Sequence, residues 1–186
     1  MPERAVKDRN VLDEFISDFI KVLKKHCKYI IVSGYVAIAH GRARGTEDVD
    51  IIIEKIKVGE FTQLHKDLIK SGFECIQPGT PKTLYEDYLL EKTSIRYVKK
   101  GTLVPDMELK LAKDKLDKYQ IKNRVKLPLT DTTFYFSTPE TNIAFKEEYL
   151  KADKDLEDAK HLRMIYQETL NEKEIEKIKK MIKERR

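Results

Sequence analysis

The chain has 186 residues, 40% of them hydrophobic, enough for one substantial core and therefore for one structural unit rather than several. Its 37 basic and 32 acidic residues leave a net charge of +5, interspersed along the chain rather than gathered in a basic arm, so a polyanionic partner is permitted but not required. Two cysteines without CxxC spacing, Cys27 and Cys75, suggest neither a disulfide framework nor a zinc knuckle, and no apolar run approaches the roughly 18 residues of a membrane span.

Charged residues make up 37%, above the usual quarter, and Lys/Glu enrichment of this kind is common in heat-adapted proteins. The start, "MPERAVKDRN", is charged and lacks the apolar stretch of a secretory signal. Together these readings lead us to expect a cytoplasmic protein without a membrane partner.

In chain order, Val11, Leu12, Phe15, Ile16, Phe19, Ile20 and Leu23 recur at helical spacing and predict an amphipathic helix over 10–27. A strand is expected over 29–33, a short helix over 34–41, a loop over 42–47 and a second strand over 48–53. Helix 59–71 ends at Ser71-Gly72, and a short strand near 73–76 leads into a Pro-Gly-Pro turn. Residues 82–91 are ambiguous. "SIRYVKKGTLVPDMELKLA" reads as two strands joined at Lys100-Gly101, with Pro105 implying an irregular start to the second. Residues 112–126 suit helix or loop, and "TTFYFS" is a strand. A Ser/Thr cap followed by Pro139 starts a helix, and two more follow over 153–168 and 171–185. The expected class is α/β (α+β): a mixed sheet flanked by helices over 1–137, with a C-terminal helical segment, 138–186, packed on it as one structural unit.

Chemistry concentrates in "YIIVSGYVAIAHGRARGTEDVDIIIE", residues 29–54. Strand alternation puts Asp48 and Asp50 on one face, about 6.6 Å apart at 3.3 Å per residue. Two carboxylates so placed suit magnesium ions about 3.5–4 Å apart, the arrangement used for phosphoryl or nucleotidyl transfer. Upstream, Ser33-Gly34 falls where a strand gives way to a helix, a place where backbone N–H groups meet an anion and glycine allows close approach.

An apolar strand, Gly-Gly or Gly-Ser, nine to thirteen residues and then Asp-x-Asp followed by apolar residues is the signature of the nucleotidyltransferase superfamily, the DNA polymerase beta-like fold. Ser33-Gly34 and "DVD" at 48–50 resemble it. The likeness is greatest to the small toxin-like branch of prokaryotic abortive-infection systems, whose "GGYAVxxHGxxRxTxDxD" is similar to "SGYVAIAHGRARGTEDVD" here; Ser-Gly in place of Gly-Gly is a departure. Lys146 followed by "KDLED" at 154–158 resembles a later element of that branch.

The resemblance implies an enzyme: a magnesium- or manganese-dependent nucleotidyltransferase with two ions, binding ATP or another nucleoside triphosphate and releasing pyrophosphate. It implies metal ligation by Asp48, Asp50 and a third carboxylate on a later strand, with catalysis by that set and Lys146. Glu108 fits the third place slightly better than Asp106, and both remain open. Ser33, Gly34, Arg44, Thr46 and Asp158 are the implied nucleotide-binding residues, Asp158 orienting Lys146 or Arg44. The acceptor, RNA or protein, is undetermined, and an antitoxin or a second copy of the chain is a further expected partner.

Several of these residues also have plain structural readings. Arg42 and Arg44 suit a solvated loop, His40 suits a packed hydrogen-bonded position, and Lys146 and Asp158 suit an ion pair tying tail to core. The basic C-terminus, with Ile175, Ile178 and Ile182 opposite its charges, reads as a helix with one solvated face. A non-catalytic nucleotide- or RNA-binding module is the competing function.

Overall fold

The computed structural model describes residues 8–185, so the charged N-terminal run lies almost wholly outside the described residues. Among them, seven strands form one mixed sheet in the order β3-β4-β5-β2-β1-β7-β6. Helix α1 (Arg9–Leu23) opens the chain behind an Asp8 cap, followed by β1 (Tyr29–Val32), α2 (Gly34–Ala39) and β2 (Asp48–Ile53). Then come α3 (Val58–Lys70), β3 (Phe73–Cys75), α4 (Pro81–Thr83), β4 (Ile95–Lys99) and β5 (Asp106–Leu111). Helix α5 (Lys115–Lys122), β6 (Val125–Lys126), β7 (Tyr135–Phe136), α6 (Pro139–Phe145), α7 (Asp153–Ile165) and α8 (Glu172–Glu184) complete it.

Period-2 patterning decides which sheet face is core. In β2 the side chains of Val49, Ile51 and Ile53 are fully buried and stand in register with Met107, Leu109 and Leu111 of the parallel β5. Against this face pack α1 and α3, with the Phe19 ring edge-on to Phe73 at 5.1 Å and close to Tyr97 at 5.6 Å. Burying an aromatic or aliphatic side chain of this size contributes about 1.5–3 kcal/mol, so the apolar stripe of α1 fixes its seat. On the opposite face, Ile30, Val32 and Ile52 meet Ala112 and Ile121, which seats α5 over only part of the sheet. What α5 leaves uncovered is the end of the sheet carrying Asp48 and Asp50.

Helices α6 to α8 pack on the same main core, Ile143, Leu162, Ile175, Ile178 and Ile182 all being buried in it. The mixed sheet flanked by helices matches the expected class, and most elements fall within a few residues of expectation. Two details differ and two open segments are resolved. The first helix stops at Leu23, because Lys25 and His26 donate to the carbonyls of Val22 and Leu23 and tighten the end into a three-residue turn. The ambiguous 82–91 is helical: Thr80 caps Pro81–Thr83, which continues as π-helical turns over Leu84–Leu89. The undecided 112–126 holds α5, where the Asp114 carboxylate accepts from the N–H groups of Leu116 and Asp117 at 3.0 Å. The strand expected at "TTFYFS" is only Tyr135–Phe136, preceded by the short β6 and a 3-10 turn at Pro128–Thr130.

Candidate active site

Parallel pairing of β2 with β5 places Asp48 opposite Asp106, Asp50 opposite Glu108 and Ile52 opposite Lys110. Residues at i and i+2 share a face, so four carboxylates and one lysine line the uncovered side of the sheet. The antiparallel β4 adds Arg96, opposite Glu108. Lys110 Nζ lies 3.0 Å from Asp50 Oδ1 and 2.9 Å from Glu108 Oε1. The Arg96 guanidinium reaches Glu108 at 3.2 Å and Asp106 at 3.5 Å, and the Ser94 hydroxyl donates to Glu108 at 2.8 Å. Thus Glu108 is held by three neighbours. Asp106 is only 5% exposed, yet its Oδ1 is buried without a hydrogen-bond partner.

The electrostatics follow this difference. Burial pushes the Asp106 carboxyl up to about 6, Arg96 offsetting only part of the cost. Burial also raises Asp50 despite its bond to Lys110. Burial would raise Glu108 as well, but hydrogen bonds from Lys110 and Ser94 and the Arg96 charge outweigh it, leaving Glu108 below its ordinary value. Lys110 itself is raised: burial opposes its charge, and Asp50 and Glu108 more than compensate.

Lys110 was not singled out by sequence reasoning, although a signal was present. In "DMELKL" it stands two residues beyond Glu108, so whatever places Glu108 on the cleft face places Lys110 there too. Arg96 had no comparable signal, since its role depends on how β4 registers with β5.

Beside the carboxylates opens a cavity of about 190 Å³, walled by Val32, Asp50 and Ile52 on the sheet, Ser33 just past β1, Asp117 and Gln120 on α5, Asn142 and Phe145 on α6, and Lys146 directly after it. Lys92, Lys110, Lys113 and Arg185 bring positive charge to its lining. Its volume is below the 300–1,000 Å³ of pockets that enclose a drug-sized ligand, so a nucleoside triphosphate would sit with one part inside and the rest over the sheet end.

Of the residues marked in the sequence, Ser33 has φ 68°, a left-handed conformation costly for a residue with a Cβ, on the lip of the cavity. The helix after it, α2, spans only six residues, which leaves the pull on an anion mainly to side chains. Gly34 lets the Arg44 guanidinium pack close, since a Cβ there would lie 3.2 Å from it and push it aside. Thr46 is buried and donates its hydroxyl to the Asp48 carbonyl at 2.9 Å, steadying the start of β2.

Asp158 and Lys146 form a second centre, joined to the first through Lys146 in the cavity wall. Lys146 Nζ lies 2.8 Å from Asp158 Oδ2, Arg44 donates to the same oxygen at 2.7 Å, and Arg42 bonds the other oxygen. Asp158 is fully buried and Lys146 is 1% exposed, at the head of a π-helical turn, Lys146–Leu150. His40 is a packed histidine, its ring bonded to the Val36 carbonyl at 2.7 Å and the Tyr166 hydroxyl at 2.6 Å. The structure therefore brings Asp48, Asp50, Asp106, Glu108 and Ser33 to one cleft, and gathers Arg42, Arg44, Lys146 and Asp158 at its edge.

A divalent cation is implied by the resemblance, and the cleft can be tested for it. Four carboxylates against Lys110 and Arg96 leave a net charge of −2, all donors are oxygens, as hard cations require, and one of them is buried and unpaired. The residues fit such an ion. Among the described residues, however, no three acidic, His or Cys side chains stand gathered around one point, and Lys110 and Arg96 hold Asp50 and Glu108.

No family model matches the chain, and no curated protein matches it in sequence. Solved structures do. The antibiotic-resistance factor ANT(2'')-Ia is 12% identical with a TM-score of 0.57, over 95% of this chain and 93% of that one. An antigenic nucleotidyltransferase-like protein from Paracoccidioides brasiliensis is 16% identical with a TM-score of 0.54, over 98% of this chain and 90% of that one. Both likenesses run nearly end to end, and the chain has the nucleotidyltransferase fold.

Proposed function

We propose that this chain is a divalent-metal-dependent nucleotidyltransferase, transferring a nucleoside monophosphate from a nucleoside triphosphate to an acceptor and releasing pyrophosphate. One observation carries the reading: on this fold, β2 and β5 register so that Asp48, Asp50, Asp106 and Glu108 share one uncovered sheet face beside a cation-lined cavity. Asp48 and Asp50 would hold the metal. For the third place Asp106 is the better donor as the side chains stand, since its Oδ1 has no partner, whereas Glu108 would first have to release Ser94, Lys110 or Arg96. Magnesium or manganese, two ions in the full reaction, would supply charge neutralisation and a more nucleophilic acceptor oxygen.

The chain's own residues position the rest. Lys92 and Lys113 flank the cavity and offer positive charge to the triphosphate, while Ser33 lies on the cavity wall and Gly34 leaves room for the Arg44 guanidinium behind it. The acceptor oxygen bonds the α-phosphorus as the α–β bridging bond breaks, and the acceptor proton passes to a cleft carboxylate. Alignment and electrostatics carry most of the rate. Thr46 acts indirectly, by fixing Asp48.

The test is incubation with each α-labelled triphosphate, magnesium and a cell extract. We expect label on one acceptor class, pyrophosphate release, and loss of both by at least about a hundredfold in Asp48→Asn and Asp50→Asn at unchanged circular dichroism. Asp106→Asn should then cost more activity than Glu108→Gln, and the opposite ranking would give the third place to Glu108.

A second reading, a non-catalytic nucleotide- or RNA-binding module, has one observation in its favour: Lys110 and Arg96 already counter part of the carboxylate charge. Triphosphate binding without pyrophosphate release would establish it. Growth arrest on expression, relieved by a partner protein, would identify a toxin paired with an antitoxin.

A further inference from the structure

On the far side of α5 from the cavity lie two adjoining surface hollows of about 490 and 360 Å³ that share Lys28, Glu54, Arg124 and Tyr135. Seven cations line them: Lys24, Lys25 and Lys28 after α1, Lys55 after β2, Lys118 and Lys122 on α5, and Arg124 beyond it. One carboxylate, Glu54, lies among them, and it accepts the Lys28 backbone N–H at 2.7 Å. Among the described residues none of the six lysines has a carboxylate partner, in contrast to Lys99, Lys110, Lys146 and Lys179, which all pair. Unpaired like charges held together repel, and the arrangement is explained if a polyanion lies across them.

The floor is not purely electrostatic. The Arg124 guanidinium stacks 4.1 Å above the Tyr135 ring, a flat cationic-aromatic platform of the kind on which bases stack. None of the exposed large hydrophobic side chains belongs to the hollows, which argues against an acidic lipid surface, where apolar anchors accompany the basic ones.

The groove also points at the cleft. Asp50 and Ile52 share one face of β2 and Glu54 follows one residue past its end, so about 13 Å of extended chain separate a cleft carboxylate from the groove, with α5 between them. Asp117 and Gln120 of that helix face the cavity, and Lys118 and Lys122 face the groove.

We propose that this groove binds single-stranded RNA, and that it seats an RNA acceptor whose end enters the carboxylate cleft. The binding half stands without the proposed chemistry; the acceptor half rests on the nucleotidyltransferase reading.

Fluorescence anisotropy with a labelled single-stranded RNA of about 15 nucleotides tests it, using the full chain without triphosphate. The double variants Lys24→Glu/Lys25→Glu and Lys118→Glu/Lys122→Glu are compared with Lys173→Glu/Lys180→Glu, an exposed pair on α8. All are checked for unchanged melting. We expect at least a tenfold loss for each groove pair, less than twofold for the α8 pair, and a salt slope shallower by about 1.4 for each groove pair, at roughly 0.7 per phosphate contact. Equal losses in all three variants would overturn the groove, as would tighter binding to acidic vesicles or to an acidic protein than to RNA. If RNA binds through the groove but no α-labelled triphosphate reacts with any acceptor, the catalytic reading fails and the groove survives. If a small alcohol is labelled and RNA neither binds nor is labelled, the catalytic reading survives and the groove fails.

Discussion

Asp158 and Asp106 are both buried carboxylates facing cations, and they differ in how fully their oxygens are partnered. Asp158 has both oxygens bonded, by Arg42, Arg44 and Lys146, and no exposed surface. Asp106 has one guanidinium at 3.5 Å and an oxygen with nothing to accept from. A saturated buried carboxylate ties elements together, here the loop after α2, α6 and α7. An unsaturated one is unstable until something else arrives. Two acids of similar burial thus teach opposite lessons, and the partner inventory tells them apart.

The larger energetic effect belongs to Asp158. Replacing it with Ala strands three buried or half-buried cations, and the expected cost is about 3–5 kcal/mol in chemical denaturation. A loss below about 1 kcal/mol would mean that the cluster is solvated and holds nothing. Lys146→Met is milder, because two guanidinium groups remain on Asp158: about 1–3 kcal/mol, with the Michaelis constant for triphosphate within twofold. A several-fold rise in that constant at an unchanged melting temperature would instead move Lys146 into the catalytic cleft.

At Asp106 the sign reverses. A carboxyl raised to about 6 binds its proton more tightly folded than unfolded, so its contribution is fully present below the ordinary value near 4 and is lost as pH rises through 6. Asp106→Asn, which keeps a neutral side chain at every pH, should make the metal-free protein about 2–3 kcal/mol more stable at pH 7.5 and leave it little changed at pH 4. Melting curves across pH 4–8 check this. A variant less stable than the parent at pH 7.5 would show that the unpaired oxygen is satisfied in solution.

Legibility divides along the same line. The cleft acids were readable because strand alternation is local: "DVDIII" and "DMELKL" each assign their own faces, whatever the rest of the chain does. Lys110 was readable by the same rule, but a lysine does not belong to a set of metal-binding acids. What no local rule supplies is partnership. Whether Asp106 or Glu108 is left open depends on Arg96 and Ser94 at the β4 edge, 12 and 14 residues before Glu108 in sequence, and on a pairing register set by packing. The basic groove was invisible for a related reason: its cations come from 24–28, 55 and 118–124, and interspersed charge in sequence became a patch only on folding. Segments without strong periodicity, such as 82–91 and 112–126, were settled by caps at Thr80 and Asp114.

Lys110 makes the cleft resemble the saturated centre without completing it. Its ammonium sits between Asp50 and Glu108, where it screens the carboxylates from one another. A divalent cation binding to Asp50 must displace that bond or share the oxygen with it, so Lys110 competes for the charge the ion would neutralise. Lys110→Met retains most of the side chain's length and apolar stem while removing the charge, taking the cleft from a net −2 to −3. The expected result is manganese binding about tenfold tighter, or about 1.4 kcal/mol, read from the free-ion paramagnetic signal without any substrate. The same variant should be less stable than the parent without metal, since Asp50 and Glu108 then face each other unscreened, and regain that loss when metal is added. Weaker manganese binding in Lys110→Met would assign Lys110 the contrary role: holding Asp50 in place for the ion.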